Sequence, residues 1–191
     1  LGTGLLKEKE LEIIELLTTV LQTKAGWNEV VRCGAIAGLS QLTTSAQAVD
    51  AILLYTENGT PQPLRLAAIR ALGAVSIGQA PEKLTEILEQ LKAIAQEEFF
   101  LTQVSVTSAL GQMETPKAIG ILQNLANQTP DGRVRRMAEE AIKKVQAKIG
   151  SVEKIKNLQT NLEKLQQDNR DLQSRLAKLE TMIKTSDNET T

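Results

Sequence analysis

The fold of this chain is decided by residues 64–72, Leu-Arg-Leu-Ala-Ala-Ile-Arg-Ala-Leu. Related stretches lie at residues 31–39, 102–110 and 134–142, and each has a small residue directly before its closing apolar residue. Another small residue generally lies four positions earlier, and residues four apart share one face of a helix. Small residues on one face allow a neighbouring helix to approach closely. We therefore predict four equivalent packed helices, whose shared core positions are Leu39, Leu72, Leu110 and Ile142.

Between these stretches lie turns with Pro or Gly and a second segment with apolar residues at helical spacing. The pattern predicts helices near 5–22, 27–42, 46–57, 63–76, 82–97, 99–113, 117–127 and 132–149. Only 2% of the residues are aromatic, which argues against a β-sandwich or barrel. Helix pairs at a period of 30–40 residues are typical of an all-α solenoid of HEAT type. We expect about four such pairs in residues 1–149, with a generic helical bundle as the alternative.

After Gly150 the chain contains no Gly or Pro, and its apolar residues follow a heptad repeat. We predict a long coiled-coil helix over residues 150–184 and a flexible tail over 185–191. Leucine occupies four successive d positions, and one central a position is Asn169, which favours a parallel homodimer in one register. The alternative is that this helix folds back on the solenoid. The predicted dimer interface consists of Ile155, Leu158, Leu162, Leu165, Asn169, Leu172, Leu176, Leu179 and Ile183.

The composition excludes several kinds of site. The chain has no histidine and one cysteine, so it lacks the residues for His-based acid–base catalysis, for a Cys-His nucleophile and for imidazole-ligated zinc. We predict no catalytic, cofactor-binding or metal-binding residue. A net charge of −1 predicts neither a nucleic-acid nor a membrane partner, and we expect a cytoplasmic protein.

Three local features receive a structural interpretation. The basic stretch from Arg133 to Lys148 is interrupted by acidic residues and has no aromatic platform, so we interpret it as a solvated helix face. Cys33 is predicted to be a small core residue. Trp27 and the pair Phe99-Phe100 each open a predicted helix, where we expect them to cap the end of the repeat core.

Three stretches and the terminal heptads resemble the C-terminal region of bacterial, particularly cyanobacterial, M1-family zinc aminopeptidases. They are residues 26–32 (Gly-Trp-Asn-Glu-Val-Val-Arg), 64–73 and 129–136 (Thr-Pro-Asp-Gly-Arg-Val-Arg-Arg). The resemblance spans essentially the whole chain. It implies that the zinc and its His-Glu-x-x-His motif belong to a separate upstream catalytic domain, beside which this region packs. Residues 111–115 are similar to the Gly-x-Met-Glu-Asn exopeptidase motif but end in Thr, and we interpret this as coincidence.

Three functional hypotheses follow. In the first, the chain is a non-catalytic scaffold and self-association region of such a peptidase, with the upstream catalytic domain and a second copy as partners. In the second, it is a free-standing HEAT adaptor that binds another protein. In the third, it is an enzyme similar to the HEAT-like phycobilin lyases, although the lack of histidine and the scarcity of aromatic residues argue against this.

Overall fold

The computed structural model of the chain describes residues 2–151 and residues 158, 160–162, 164, 165, 167 and 170. These residues form helices joined by short turns, and none of them lies in a β-strand. The chain divides into two compact units, Leu1–Ile149 and Gly150–Thr191.

Within the described part of the first unit the chain forms eight α-helices. Proline begins several of them, as expected for a residue whose missing N–H would have no partner in the first turn. Short 3₁₀ turns at Trp27–Glu29 and Leu54–Thr56 adjoin two of the α-helices. The helices are α1 (Gly2–Thr23), α2 (Val30–Leu39), α3 (Ala46–Leu53), α4 (Gln62–Val75), α5 (Pro81–Ile94), α6 (Phe100–Gln112), α7 (Pro116–Gln128) and α8, which begins at residue 132 and is helical through residue 151.

The helices of this unit pack in two layers. The odd layer consists of α1, α3, α5 and α7, in which each helix contacts the next. The even layer consists of α2, α4, α6 and α8. In it α2 packs on α4 and α4 on α6, and Gly111 of α6 lies against Ala141 of α8. Each odd helix from α1 to α5 also contacts the even helix that follows it, so the repeating unit is an antiparallel pair.

The predicted core positions lie between the layers. Leu39, Leu72 and Leu110 have 0% of their surface exposed. Ile142 is only partly buried and packs at the margin of the same core. The prediction that Ile142 is a fully buried core position is therefore wrong. The buried residues of α8 are Val134, Ala138, Ala141 and Val145.

At Gly73, α4 crosses α6 at close range. A β-carbon at Gly73 would lie within 2.6 Å of the Ala109 Cα and closer still to the Ala109 carbonyl oxygen. Those atoms are backbone and cannot rotate away, so only glycine fits this crossing. Ala109 is one of the small residues of the repeat, whereas Gly73 directly follows the closing Leu72, so a small residue on each helix admits its neighbour at this crossing.

The start of the second helix differs from the prediction. Residues 27–42 were expected to form one helix, but α2 begins at Val30 and is preceded by a 3₁₀ turn. Asn28 and Glu29 have φ angles of 52° and 57°, in the left-handed region that interrupts a right-handed helix. The expectation that Trp27 caps the core is wrong, because this turn leaves the Trp27 side chain 89% exposed.

In the second unit the described residues are helical, and Leu158, Leu162 and Leu165 are exposed in the single chain. The heptad prediction assigns these three leucines to positions a and d, and the pairing of the segment stays a prediction. The other predicted interface residues lie outside the described residues: Ile155, Asn169, Leu172, Leu176, Leu179 and Ile183.

Candidate functional site

The surface of the even layer that faces away from the odd layer, hereafter the open face, is formed by α2, α4, α6 and α8. Along α6 this face is a stripe of uncharged side chains at helical spacing: Leu101, Val104, Ser108 and Gln112. These residues are exposed or half-buried, whereas the intervening residues of α6 point into the core. The helix thus presents an uncharged floor to solvent.

Two cavities lie on the open face. One, of about 390 Å³, is lined by α2 and α4 residues such as Ala37, Arg70 and Ala74. The other, of about 230 Å³, lies between α6 and α8 and is lined by Ser108 and Lys144 among others. Gln112 lines both cavities, so the two form one groove across α6. We refer to it as the α6 groove.

The two layers carry opposite charge. The four even helices contain nine Arg or Lys residues and two Glu, whereas the four odd helices contain five Lys and eight Asp or Glu. The net charge of the whole chain, −1, hides this separation. The even layer is therefore the basic layer of the first unit.

Arg70 and Lys144 border the α6 groove from its two sides. Arg70, on α4, donates a hydrogen bond from Nη1 to the Ser105 hydroxyl oxygen of α6 at 3.1 Å. Lys144 lies one helical turn beyond Glu140, whose carboxylate is paired with Arg136 at 3.0 Å. Among the described residues, neither Arg70 nor Lys144 has a carboxylate partner. Their positive charges are therefore available to a ligand in the groove.

The basic residue in the first turn of three even helices has a structural role. Arg65 donates from Nε to the Thr56 carbonyl oxygen at 2.7 Å and makes a bidentate pair with Glu97, at 2.8 and 2.6 Å. This hydrogen bond to Glu97 raises the pKa of Arg65 above its ordinary value. Arg135 likewise donates from Nε to the Ala126 carbonyl oxygen at 3.2 Å. Both residues join the end of one odd helix to the even helix that follows.

The corresponding residue of the first pair is Arg32. It pairs with Glu29 at 3.0 Å and stacks 5.5 Å from the centroid of the Tyr55 ring. Within the described part of the chain its buried Nε has no hydrogen-bond partner, unlike the Nε of Arg65 and Arg135. The residue of the third pair that corresponds to these arginines is Gln103. Its side-chain oxygen accepts a hydrogen bond from the Thr129 hydroxyl at 3.1 Å.

A third cavity, of about 410 Å³, lies at the edge where α6 and α8 begin. At this edge Asp131 caps α8 by accepting a hydrogen bond from the Arg133 backbone N–H at 2.8 Å, and it also pairs with the Arg133 side chain. These bonds from Arg133 hold the pKa of Asp131 at about 2. The Arg133 guanidinium in turn lies 4.2 Å from the centroid of the Phe100 ring. The groups at this edge are therefore already paired with one another.

Cys33 is half-buried on the margin of the core and lines the groove between α2 and α4. Burial is the main cause that raises the pKa of its thiol, and the negative charge of Glu29 adds to this. A smaller fraction of the Cys33 thiol is therefore ionised near neutral pH than in a free cysteine.

The structure brings together residues that the sequence analysis did not connect. Arg70, Ser108, Gln112 and Lys144 are far apart in sequence, and no motif joins them. A partial signal was available in the net charge of single helices, which is negative in α1, α3 and α5 and positive in α2, α4 and α8. The described residues contain no cluster of three or more His, Cys, Asp or Glu side chains placed to hold a metal ion. No described helix combines the length and apolar character that a membrane span requires.

Comparison with known proteins agrees with the repeating pairs. Residues 49–143 match the family model for HEAT repeats, a segment that runs from α3 into α8. No curated protein matches the chain significantly. The two-layer stack of helix pairs between residues 49 and 143 is therefore similar to HEAT repeats.

Proposed function

We propose that this chain is a non-catalytic scaffold that packs against a neighbouring folded domain and joins copies of itself through its terminal heptads. Solenoids of this kind act through extended surfaces formed by stacked repeats. The parts of the chain that support the proposal are the first helix pair, the heptad segment and the open face.

The observation that carries the scaffold proposal is the apolar surface of the first pair. Trp27 is 89% exposed, and the neighbouring Val30 and Val31 are 60% and 58% exposed. Terminal repeats of an isolated solenoid need a polar outer face to remain soluble. An exposed Trp with two adjacent valines instead favours contact with another folded domain.

We further propose that this neighbour is the upstream catalytic domain of an M1-type zinc aminopeptidase, as the resemblance of residues 26–32 implies. The coding sequence directly upstream of Leu1 tests this proposal. We expect an open reading frame that contains a His-Glu-x-x-His motif and a downstream Glu. A start codon immediately before Leu1 would contradict the peptidase context.

The self-association part rests on the heptads from Ile155 to Ile183. Burial of an aliphatic side chain contributes about 1.5–3 kcal/mol, so nine paired layers exceed the cost of ordering the segment. Light scattering of the intact chain tests it. We expect twice the mass of a 20.8 kDa monomer at tens of micromolar, about the range in which two-stranded heptads associate. A monomer mass would contradict it.

The second candidate function is a free-standing adaptor, favoured by the α6 groove. In this case the open face would bind a segment of another protein, and the first pair would pack on that partner. The adaptor and the scaffold differ in the upstream sequence, so the same genomic observation separates them.

A further inference from the structure

We infer that the α6 groove binds an acidic segment of a partner protein, which lies across α6 and pairs its carboxylates with Arg70 and Lys144. The inference rests on the proposed function only in taking the partner to be a protein. It concerns the chemistry of the segment, which neither the scaffold nor the adaptor hypothesis specifies.

The first argument is the shape of the groove. Two cavities that share Gln112 form one trough across α6. Its lining includes small and apolar residues such as Ala37, Ala74 and Met137, which can contact apolar or small side chains of a ligand. Glu140 also lines the α8 side of the groove, but its carboxylate is paired with Arg136. A small and apolar lining between Arg70 and Lys144 suits a segment that has apolar residues at its centre and carboxylates toward its ends.

The second argument is charge. The groove lies on the layer that carries nine basic residues against two acidic ones. In the described part of the chain, Arg70 and Lys144 lack carboxylate partners, whereas Arg65 and Arg133 are already paired within the fold. Complementary charge across an interface accelerates association and suppresses binding of partners with the wrong sign.

The third argument concerns dimensions. Neighbouring helix axes are about 8–10 Å apart, so α4 and α8 lie roughly 20 Å apart across α6. A helical segment of about 15 residues spans a similar length at about 1.5 Å per residue. A short amphipathic helix with carboxylates near both ends would therefore reach both basic walls.

A nucleic acid would also be attracted by positive charge, but the groove fits it less well. Base recognition in single strands depends on stacking against aromatic side chains. None of the residues that line the two cavities is aromatic. The acidic protein segment is thus the occupant that the lining favours, and binding of RNA becomes an outcome of the test.

The test uses the intact chain and a peptide array. The probes are peptides of about 15 residues in many scrambled orders, a length chosen to span the groove. They form three series that share their apolar residues and carry Glu, Gln or Lys at all other positions. Fluorescence anisotropy of the best binders then measures affinity, and a single-stranded oligouridine serves as the competing probe.

The variant that tests the site is Arg70→Glu combined with Lys144→Glu. Its matched control is Lys92→Glu with Lys117→Glu, which makes the same charge change at exposed positions of the odd layer. We expect the Glu series to bind at least about tenfold more tightly than the Gln series, and the groove variant to lose about tenfold while the control retains affinity. If the groove variant does not fold, Arg70→Gln with Lys144→Gln provides the same comparison.

Several results would overturn the inference. They are equal binding of the Glu and Gln series, equal loss of affinity in groove variant and control, and tighter binding of oligouridine than of any peptide. Absence of peptide binding from all three series would overturn it as well. The mass of the intact chain, measured on the same samples, reports on the scaffold proposal separately, because the heptads do not include either groove residue.

Discussion

At the scale of single residues, the first-turn arginines show how one side chain can join repeats. Arg65 reaches the Thr56 carbonyl and the Glu97 carboxylate, which lie before and after it in the chain. Its side chain is only 14% exposed, so its charge is compensated by these partners rather than by water. The arginine repeat is visible in the sequence, but the partners differ from copy to copy and could not be read from it.

Replacing Arg65 by Gln should destabilise the first unit by about 1–3 kcal/mol, because a half-buried carboxylate and a buried carbonyl would lose their donors. Arg136→Gln is the matched control. Arg136 also pairs with a glutamate, but its side chain is 81% exposed, and exposed pairs contribute less than about 1 kcal/mol. Urea unfolding followed by circular dichroism measures both. Equal midpoints for the two variants would contradict this account of Arg65.

Asp131 should titrate with a pKa of about 2, below the value of 3.8 for an unperturbed side chain. Because its pKa is lower in the folded chain, its contribution to stability is present above pH 3.8 and is lost as the pH falls towards 2. Carboxyl NMR measures the midpoint. Arg133→Gln should raise it while leaving it below 3.8, since the backbone N–H of residue 133 still donates. An unchanged midpoint in this variant would show that the ion pair does not lower the pKa.

At the scale of helices, the contacts between neighbouring even helices set the packing. Gly73 and Gly111 each lie against an alanine of the next even helix, Ala109 and Ala141 respectively. These contacts explain why small residues recur at one spacing in the four stretches. The number of pairs and the all-helical fold follow from that spacing.

Gly73→Ala and Gly120→Ala should have effects of opposite sign. A β-carbon at Gly73 would overlap the Ala109 backbone, and we expect a loss of about 1–3 kcal/mol or more. Gly120 is exposed within α7 and a β-carbon there meets nothing within 4 Å, so the better helix propensity of Ala should stabilise by about 0.5–1 kcal/mol. Thermal unfolding of both variants measures this. Similar shifts would indicate that α4 and α6 are not closely packed at Gly73.

At the scale of the whole molecule, the first unit has a complete hydrophobic core of its own. That core runs from Ile14 to Val145 and includes residues of every helix from α1 to α8. The division of the chain after Ile149 follows the end of this core. Self-association and folding should therefore be separable.

Truncation after Ile149 should leave a folded monomer whose melting temperature does not depend on protein concentration. The intact chain should melt at temperatures that rise with concentration, because association stabilises the paired heptads. Calorimetry over a concentration series measures both. A truncated chain that is unfolded would contradict the independence of the first unit, and an intact chain without concentration dependence would contradict the dimer.

The sequence by itself determined the features that depend on local spacing. The helical fold, the repeat of helix pairs and the buried positions of Leu39, Leu72 and Leu110 follow from the periodicity of apolar and small residues. Periodicity is a property of one helix and its immediate neighbours, so it can be read along the chain. It does not describe a break such as that at Asn28, because the left-handed conformation of these residues depends on the path of the surrounding chain.

Only the tertiary structure decided which distant side chains share a surface. Arg70, Gln112 and Lys144 meet on the open face because helices two positions apart in the chain are neighbours in the even layer. The same stacking separates the basic layer from the acidic one, although the net charge is only −1. The tertiary structure also decided the exposure of Trp27, because this residue lies in the 3₁₀ turn before α2 and its side chain is outside the core.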